Sequence, residues 1–94
     1  MIESFADKTT QKLFEGSSPK RFRSFQAQAE RKLQLLDSAT HCEFLRSPPG
    51  NHLEKLTGNR SGQYSIRINK QYRLCCSWDD NQPNPSAVEL TDYH

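Results

Sequence analysis

The chain has 94 residues with 33% hydrophobic content and a formal net charge of +2. A chain of this length forms one domain, residues 1–94, because it buries only roughly 60–65% of its unfolded surface in a modest core. The small net charge excludes a strong overall field, so any argument about nucleic acid depends on where the charges lie.

Composition also bounds the cellular setting. The three cysteines, Cys42, Cys75 and Cys76, are odd in number and form no Cys-x-x-Cys pair, which argues against a disulfide framework and against a zinc site. No apolar stretch approaches the roughly 18 residues that a membrane helix needs, and charged residues interrupt any signal-peptide core near the N-terminus. We therefore expect a cytoplasmic protein, with no membrane partner, no metal and no cofactor.

The first half of the chain is predicted to be helical after a candidate edge strand over 2–5. Asp7 is a candidate N-cap for a first helix through Glu15, and Gly16 suits the position that ends it. Ser18-Pro19 predicts a second helix start. Apolar spacings of three and four predict that this helix spans 22–39 with one apolar stripe, formed by Phe22, Phe25, Ala29, Leu33 and Leu36.

A short third helix over 41–45 is predicted from Thr40 and Glu43, which have capping-box spacing. The segment 47–51, Ser-Pro-Pro-Gly-Asn, then excludes both helix and central strand, and it divides a helical half from a strand half. A short strand is a candidate over 53–56, and a last strand over 88–91 follows a polar loop over 79–86.

Between these segments the apolar period is two, which predicts half-buried strands over 64–68 and 72–78. A three-residue loop, 69–71, keeps apolar residues opposite one another, whereas a two-residue turn would pair Ile66 with Arg73. The preferred register also places Arg67 opposite Arg73 on the other face. Helices followed by strands with one apolar sheet face predict an α+β fold, with the helices packed on one side of a mostly antiparallel sheet.

Two arginines opposite one another repel unless an anion lies between them. A protein carboxylate, a bound phosphate and a solvated face are all compatible with the pattern, since arginine's fork fits either anion. RNA cleavage without a metal needs a base for the 2′-hydroxyl, a cation for the phosphate and an acid for the leaving oxygen, each worth about 10²–10⁴-fold. Glu54, Arg73 and His94 have the residue types for these roles.

Several motifs of the chain together resemble the HigB toxins, of the GraT type in particular, within the RelE/ParE superfamily of toxin–antitoxin systems. The motifs cover nearly the whole chain: MIESF at 1–5, LRSPPGN at 45–51, LEKLTGNR at 53–60, GQYSIRIN at 62–69, Tyr72-Arg73-Leu74 and the terminal Asp92-Tyr93-His94.

The resemblance implies a RelE-like fold, with two main helices against a curved antiparallel sheet. It implies a toxin of a type II toxin–antitoxin system that cleaves messenger RNA in the ribosomal A site, without a metal, and so inhibits translation. It also implies a HigA-like antitoxin with a helix-turn-helix domain, through which the pair would bind operator DNA.

Site residues carried over by the resemblance centre on Arg73, which matches the arginine that binds the scissile phosphate. His94 matches the terminal acid and Tyr93 a residue that orients or stacks on RNA. Asp92 matches the aspartate before them, and Arg60 and Arg67 fall in basic positions that could hold phosphates, so these three residues are the expected RNA-binding set.

For the general base, the resemblance implies one residue and leaves a second as an alternative. YoeB-like relatives use a glutamate in this strand, so Glu54 is the expected base, and His52 takes its place only if the alignment slips by two residues. A lysine present in some HigB toxins is absent at Thr57, which suggests a weaker toxin. The competing function is a ParE-like inhibitor of DNA gyrase that needs no acid–base pair, and a third is a degenerate toxin that only binds its antitoxin.

Overall fold

The computed structural model describes residues 1–78 and 81–92. Two α-helices precede four strands, and the strands pair in chain order into one antiparallel sheet. The bounds are α1 Lys8–Phe14, α2 Gln26–Ser38, β1 Glu54–Lys55, β2 Gln63–Arg67, β3 Tyr72–Ser77 and β4 Ser86–Asp92. The α+β architecture expected from the sequence is confirmed.

The ends of α1 are set as the sequence predicts. Asp7 caps the helix because its carboxylate accepts a hydrogen bond from the Thr10 amide at 3.1 Å. Gly16 takes a φ of +104° just beyond the helix. The amides of Gly16 and Ser17 donate to the carbonyls of Leu13 and Lys12, which satisfies the last turn as in a Schellman motif.

The helix predicted over 22–39 is split in two. Residues Lys20–Phe25 form a 3₁₀ helix, and α2 begins only after Phe25, whose φ and ψ of −130° and 25° break the α-helical run. The rings of Phe22 and Phe25 both pack on Tyr72, with centroids 5.9 and 4.7 Å away. Residues three apart align on a 3₁₀ helix, so the apolar spacing did not distinguish it from an α-helix.

The third helix is likewise a 3₁₀ helix, Cys42–Arg46, and the predicted capping box is wrong. His41 rather than Thr40 precedes the first turn and makes no side-chain capping bond. Glu43 is instead engaged by Arg46 at 2.6 Å. The segment predicted to exclude helix carries one 3₁₀ turn, Pro49–Asn51, after a cis Ser47–Pro48 bond.

The hairpin register predicted from the apolar faces is confirmed. Ile66 lies opposite Leu74, and Arg67 lies opposite Arg73. The Ile68 amide donates to the Tyr72 carbonyl at 3.0 Å across the loop. The register between β3 and β4 shifts near Cys75 and Ser77, where one extra residue of β4 forms a bulge.

The candidate edge strand over 2–5 lies beside β4 but forms only one parallel bridge, Phe5 with Val88. The core lies between the helices and one sheet face. Its buried members are Leu13, Phe22, Ala29, Leu33, Leu36, Ala39, Leu45, Ile66, Ile68, Leu74, Cys76, Trp78, Val88 and Leu90. The polar face of the sheet is therefore turned away from the helices.

Candidate functional site

The polar face carries two rows of residues in register. Strand pairing aligns Glu54, Ser65, Cys75 and Glu89 in one row. Arg67, Arg73 and Thr91 form the next row, because paired residues of an antiparallel sheet point to the same side. Three of the candidate side chains, those of Glu54, Arg67 and Arg73, thus come from neighbouring positions of β1, β2 and β3.

An open depression of about 510 Å³ lies on this face. It is lined by His52, Glu54, Arg67, Asn69, Lys70 and Arg73. The structure therefore brings together the candidate base, the candidate phosphate-binding arginine, a second arginine and the alternative base. Their alignment follows from the hairpin register, which the buried apolar face fixes.

Arg73 is held in the site by three hydrogen bonds. Its side chain is 13% exposed. Its Nε donates to the Ser65 hydroxyl at 2.7 Å, and one terminal nitrogen, Nη2, donates to the His52 carbonyl at 2.6 Å and to the Ser65 carbonyl at 3.4 Å. The remaining nitrogen, Nη1, lies 4.0 Å from a carboxylate oxygen of Glu54. The guanidinium is oriented by neutral oxygens, with its third nitrogen towards Glu54.

Glu54 and His52 present different groups to the depression. The Glu54 side chain is 56% exposed, so solvent screens its long contact with Arg73. His52 is exposed, and its backbone is left-handed, with φ of 46° and ψ of 57°. Its contribution to the site among the described residues is its main-chain carbonyl, which Arg73 binds.

The two other basic candidates are already engaged within the chain. Arg67 donates from Nε to the Asn69 carbonyl at 3.2 Å. Arg60 binds Gln63 at 3.0 Å and a carboxylate oxygen of Glu89 at 3.1 Å, and the two ion-pair partners are each about 30% exposed. Of the carboxylates that could lie near the opposed arginines, Glu54 is 4.0 Å from Arg73, whereas Glu89 pairs with Arg60.

Asp92 does not join this cluster. It pairs with Tyr72, whose ring packs on the aromatic residues of the helix side, and its carboxylate accepts a hydrogen bond from the side-chain Nε2 of Gln71 at 3.0 Å. The register thus places Asp92 on the sheet face opposite to Arg73. Tyr93 and His94 lie outside the described residues.

Two contacts within the site were not predicted from the sequence: Ser65 accepts a hydrogen bond from Arg73, and Glu89 forms an ion pair with Arg60. Both residues occupy outward positions of strands that the alternation predicted, so the available signal was a small polar or acidic residue among outward arginines. Ser65 lies across the predicted hairpin from the strand of Arg73, but the contact of Glu89 also needed the pairing of β3 with β4, which local periodicity does not give.

One of the three cysteines, Cys75, lies in the same row as Glu54 and Ser65. All three are free thiols, and Cys75 and Cys76 are buried. Burial raises the pKa of Cys75, although the nearby Arg60 and Arg73 act in the opposite direction, and burial raises the pKa of Cys76 to about 12. These thiols therefore stay protonated at neutral pH and are poor nucleophiles.

Within residues 1–78 and 81–92, no three His, Cys, Asp or Glu side chains cluster as metal ligands would. The same part of the chain contains no helix that is both long and apolar enough to span a bilayer.

Comparison with solved structures defines the class of fold. The chain is similar to a structure of the YoeB–YefM complex from Staphylococcus aureus, with a TM-score of 0.55 and 20% identity, over 100% of this chain and 98% of that one. At this identity the likeness shows the fold alone, an α+β fold with the helices on one side of an antiparallel sheet.

Sequence comparison adds the family. Residues 3–94 match the family model of HigB-like toxins, described as RelE-like toxins of type II toxin–antitoxin systems. The chain is 44% identical to Toxin HigB-1 of Vibrio cholerae over 84 residues, which cover 85% of the chain and 86% of the relative. It is also 44% identical to an uncharacterized protein of Haemophilus influenzae over 64 residues, or 68% of the chain and 63% of that protein.

The chain therefore belongs to the HigB-like toxins of type II toxin–antitoxin systems.

Proposed function

We propose that this toxin is a ribosome-dependent endoribonuclease, which cleaves messenger RNA in the ribosomal A site and so stops translation. The observation that carries the proposal is the depression on the polar face, where Glu54, Arg67 and Arg73 meet. A carboxylate next to two guanidinium groups matches what phosphodiester cleavage demands, a proton acceptor beside cations that bind the phosphate. Membership of the RelE-like toxins points to the same chemistry.

The proposed reaction uses side chains in all its roles and needs no metal. Glu54 takes the proton of the 2′-hydroxyl, and that oxygen attacks the adjacent phosphorus while the bond to the 5′-oxygen breaks. Arg73 stabilises the charge on the phosphate, and His94 gives a proton to the leaving oxygen. The products are a 2′,3′-cyclic phosphate on one fragment and a 5′-hydroxyl on the other.

The neighbouring nucleotides are proposed to bind along the same face. Arg60, Arg67 and Lys70 add positive charge around Arg73, against the carboxylates of Glu54 and Glu89. A face with surplus positive charge attracts the phosphate backbone without reading sequence. Tyr93 is assigned to orienting or stacking on RNA. Asp92 is assigned no phosphate contact, because its own charge repels phosphate and it lies on the sheet face opposite to Arg73.

The proposed partners are the ribosome with its messenger RNA and a HigA-like antitoxin with a helix-turn-helix domain. The family description, a toxin of a type II system, supports a cognate antitoxin. Operator DNA would be bound through the antitoxin within the complex.

The test is expression without antitoxin, with the 5′ ends of a translated message mapped by primer extension. We expect growth arrest and cuts in register with codons, which disappear when translation is blocked. Arg73→Ala and deletion of His94 should each reduce cutting by at least about 100-fold, since each removes one catalytic group. Arg31→Ala, on the exposed side of α2, is the matched arginine control and should cut normally.

The fold of each variant is checked by its urea unfolding transition, and Arg73→Lys, which keeps the charge but loses the fork, replaces Arg73→Ala if the latter unfolds. Growth arrest with intact message would overturn the proposal and would point to gyrase inhibition.

A further inference from the structure

We propose that Ser65 is a positioning residue for Arg73. Together with the main-chain carbonyl of His52, its hydroxyl fixes the guanidinium so that Nη1 is the nitrogen presented to the scissile phosphate. The catalytic meaning of this inference rests on the proposed function of Arg73, whereas the orientation itself does not.

The first part of the argument is geometric. The guanidinium group is planar, so fixing two of its nitrogens fixes the third. Nε is held by the Ser65 hydroxyl at 2.7 Å, and Nη2 is held by the His52 carbonyl at 2.6 Å. Among the described residues, Nη1 has only the 4.0 Å contact with Glu54. The nitrogen next to the candidate base is therefore the one left to bind an incoming anion.

Ser65 has no structural partner other than Arg73 for its hydroxyl among the described residues. It is 1% exposed and lies in the middle strand of three, between Glu54 and Cys75. Solvent therefore cannot readily replace the bond at this position. Removing the hydroxyl leaves Nε without an acceptor and frees the guanidinium to rotate about its remaining contacts.

The opposite contact is anchored in the helical half of the chain. Asn51, directly before His52, is fully buried and donates to the carbonyls of Leu45 and Ser47 at 3.0 and 3.3 Å. Its own side-chain oxygen accepts a hydrogen bond from Lys32 of α2. The carbonyl that binds Nη2 thus belongs to a turn tied to α2, while the hydroxyl that binds Nε belongs to the sheet.

Orientation of this kind matters chemically because a preformed donor stabilises charge without reorganising during the reaction. A shift of about 1 Å in a catalytic group can cost about 100-fold in rate. Loss of the Ser65 hydroxyl should therefore lower the rate of the cleavage step more than it weakens substrate binding.

The orientation is tested first, by NMR of the purified toxin. A hydrogen-bonded arginine Nε–H exchanges slowly with water and gives a resolved proton–nitrogen signal, which is assigned to Arg73 by its disappearance in Arg73→Lys. The signal should vanish or broaden in Ser65→Ala and persist in Ser65→Thr, which keeps the hydroxyl. Ser77→Ala is the matched control, because Ser77 lies on the same face but bonds to Gln82.

The rate is measured next, as single-turnover cleavage on programmed ribosomes over a range of toxin concentration. Ser65→Ala should lower the maximal rate by about 10- to 100-fold, with the half-saturating concentration within about twofold of wild type. Ser65→Thr should restore most of the rate, and Ser77→Ala should match wild type.

Two results would overturn the inference: a persistent Arg73 signal in Ser65→Ala, or a Ser65→Thr variant that restores neither signal nor rate and so assigns the effect to packing. If the wild-type toxin cuts no message, the proposed function fails, but the NMR comparison still decides whether Ser65 holds Arg73.

Discussion

The two faces of the sheet are equally buried next to the backbone but are covered in different ways. On the helix face, Ile66 and Leu74 are 2% and 1% exposed and belong to the core beneath the helices. On the polar face, Ser65 and Cys75 are 1% and 0% exposed, yet they lie beside long charged side chains such as Arg73. The helix face is covered by many apolar contacts, and the polar face is covered by charged side chains that a few hydrogen bonds hold in place.

This difference separates stability from function. Apolar packing is distributed, so every buried residue on the helix face contributes to the free energy of unfolding. Hydrogen bonds of the exposed side chains on the polar face can be exchanged for bonds to water, so they add less to the free energy of unfolding. The bond from Arg73 to the buried Ser65 hydroxyl mainly decides where the guanidinium points. Substitutions on the two faces should therefore have effects of different kinds.

The largest effect is expected from Leu33→Ala on the helix face. Leu33 is fully buried in α2, and its truncation leaves a cavity in the core, so the free energy of unfolding should fall by about 3–5 kcal/mol. Urea unfolding followed by circular dichroism measures the change. Gln34→Ala, exposed on the same helix, should stay within about 0.5 kcal/mol of wild type. A loss below about 1 kcal/mol for Leu33→Ala would show that the helix face is not tightly packed.

A smaller effect is expected when two replacements of His52 on the polar face are compared. Asparagine tolerates the left-handed backbone found there, whereas valine does not and should displace the carbonyl that binds Arg73. His52→Val should therefore cut messages about 10-fold more slowly than His52→Asn, measured on programmed ribosomes. Equal losses in the two variants would instead assign the function to the imidazole and revive His52 as the base.

The smallest effect is expected at the β-bulge between β3 and β4, where β4 carries one extra residue. Ala87 has a φ of +51°, which costs an L-residue about 1–2 kcal/mol, and glycine removes that strain while adding about 0.5–1 kcal/mol of chain entropy. Ala87→Gly should therefore stabilise the protein by about 0.5–1 kcal/mol in urea unfolding. Ala27→Gly, exposed in α2, should shift stability in the opposite direction. Destabilisation by Ala87→Gly would show that the backbone is not left-handed there.

The same contrast explains how much could be predicted from the sequence. Apolar residues of the helix face recur at every second position along the strands, so this period was enough to predict the hairpin register. The register in turn predicted that Arg67 and Arg73 lie opposite one another. The two wrong predictions in the helical half concern the type of helix and the partner of one side chain, which apolar periodicity does not determine. An apolar spacing of three fits a 3₁₀ helix as well as an α-helix. The Glu43 carboxylate forms an ion pair with Arg46 instead of capping the start of the third helix.

The polar face has no such repetition. Glu54 and Arg73 were identified by residue type and family resemblance. The contact of Arg73 with the His52 carbonyl joins two separate segments, and its bond to Ser65 across the hairpin depends on side-chain geometry that the register alone does not give. The opposite orientation of Asp92 likewise required the pairing of β4 with β3. The position of the His52 carbonyl depends on the left-handed backbone of that one residue. A backbone angle of this kind produces no repeating pattern in the sequence, so it could not be predicted.

The position of the N-terminal segment beside β4 has a consequence for the order of assembly. The Glu3 and Ala6 amides donate to carbonyls of Pro85 and Val88, and the Leu90 amide donates to the Thr10 hydroxyl of α1. Residues of this segment and of α1 thus depend on partners that are synthesised about 80 residues later. Until β4 has been synthesised, α1 has no strand on which to dock and the outer edge of β3 stays unpaired, so a chain that stops before β4 does not complete this fold.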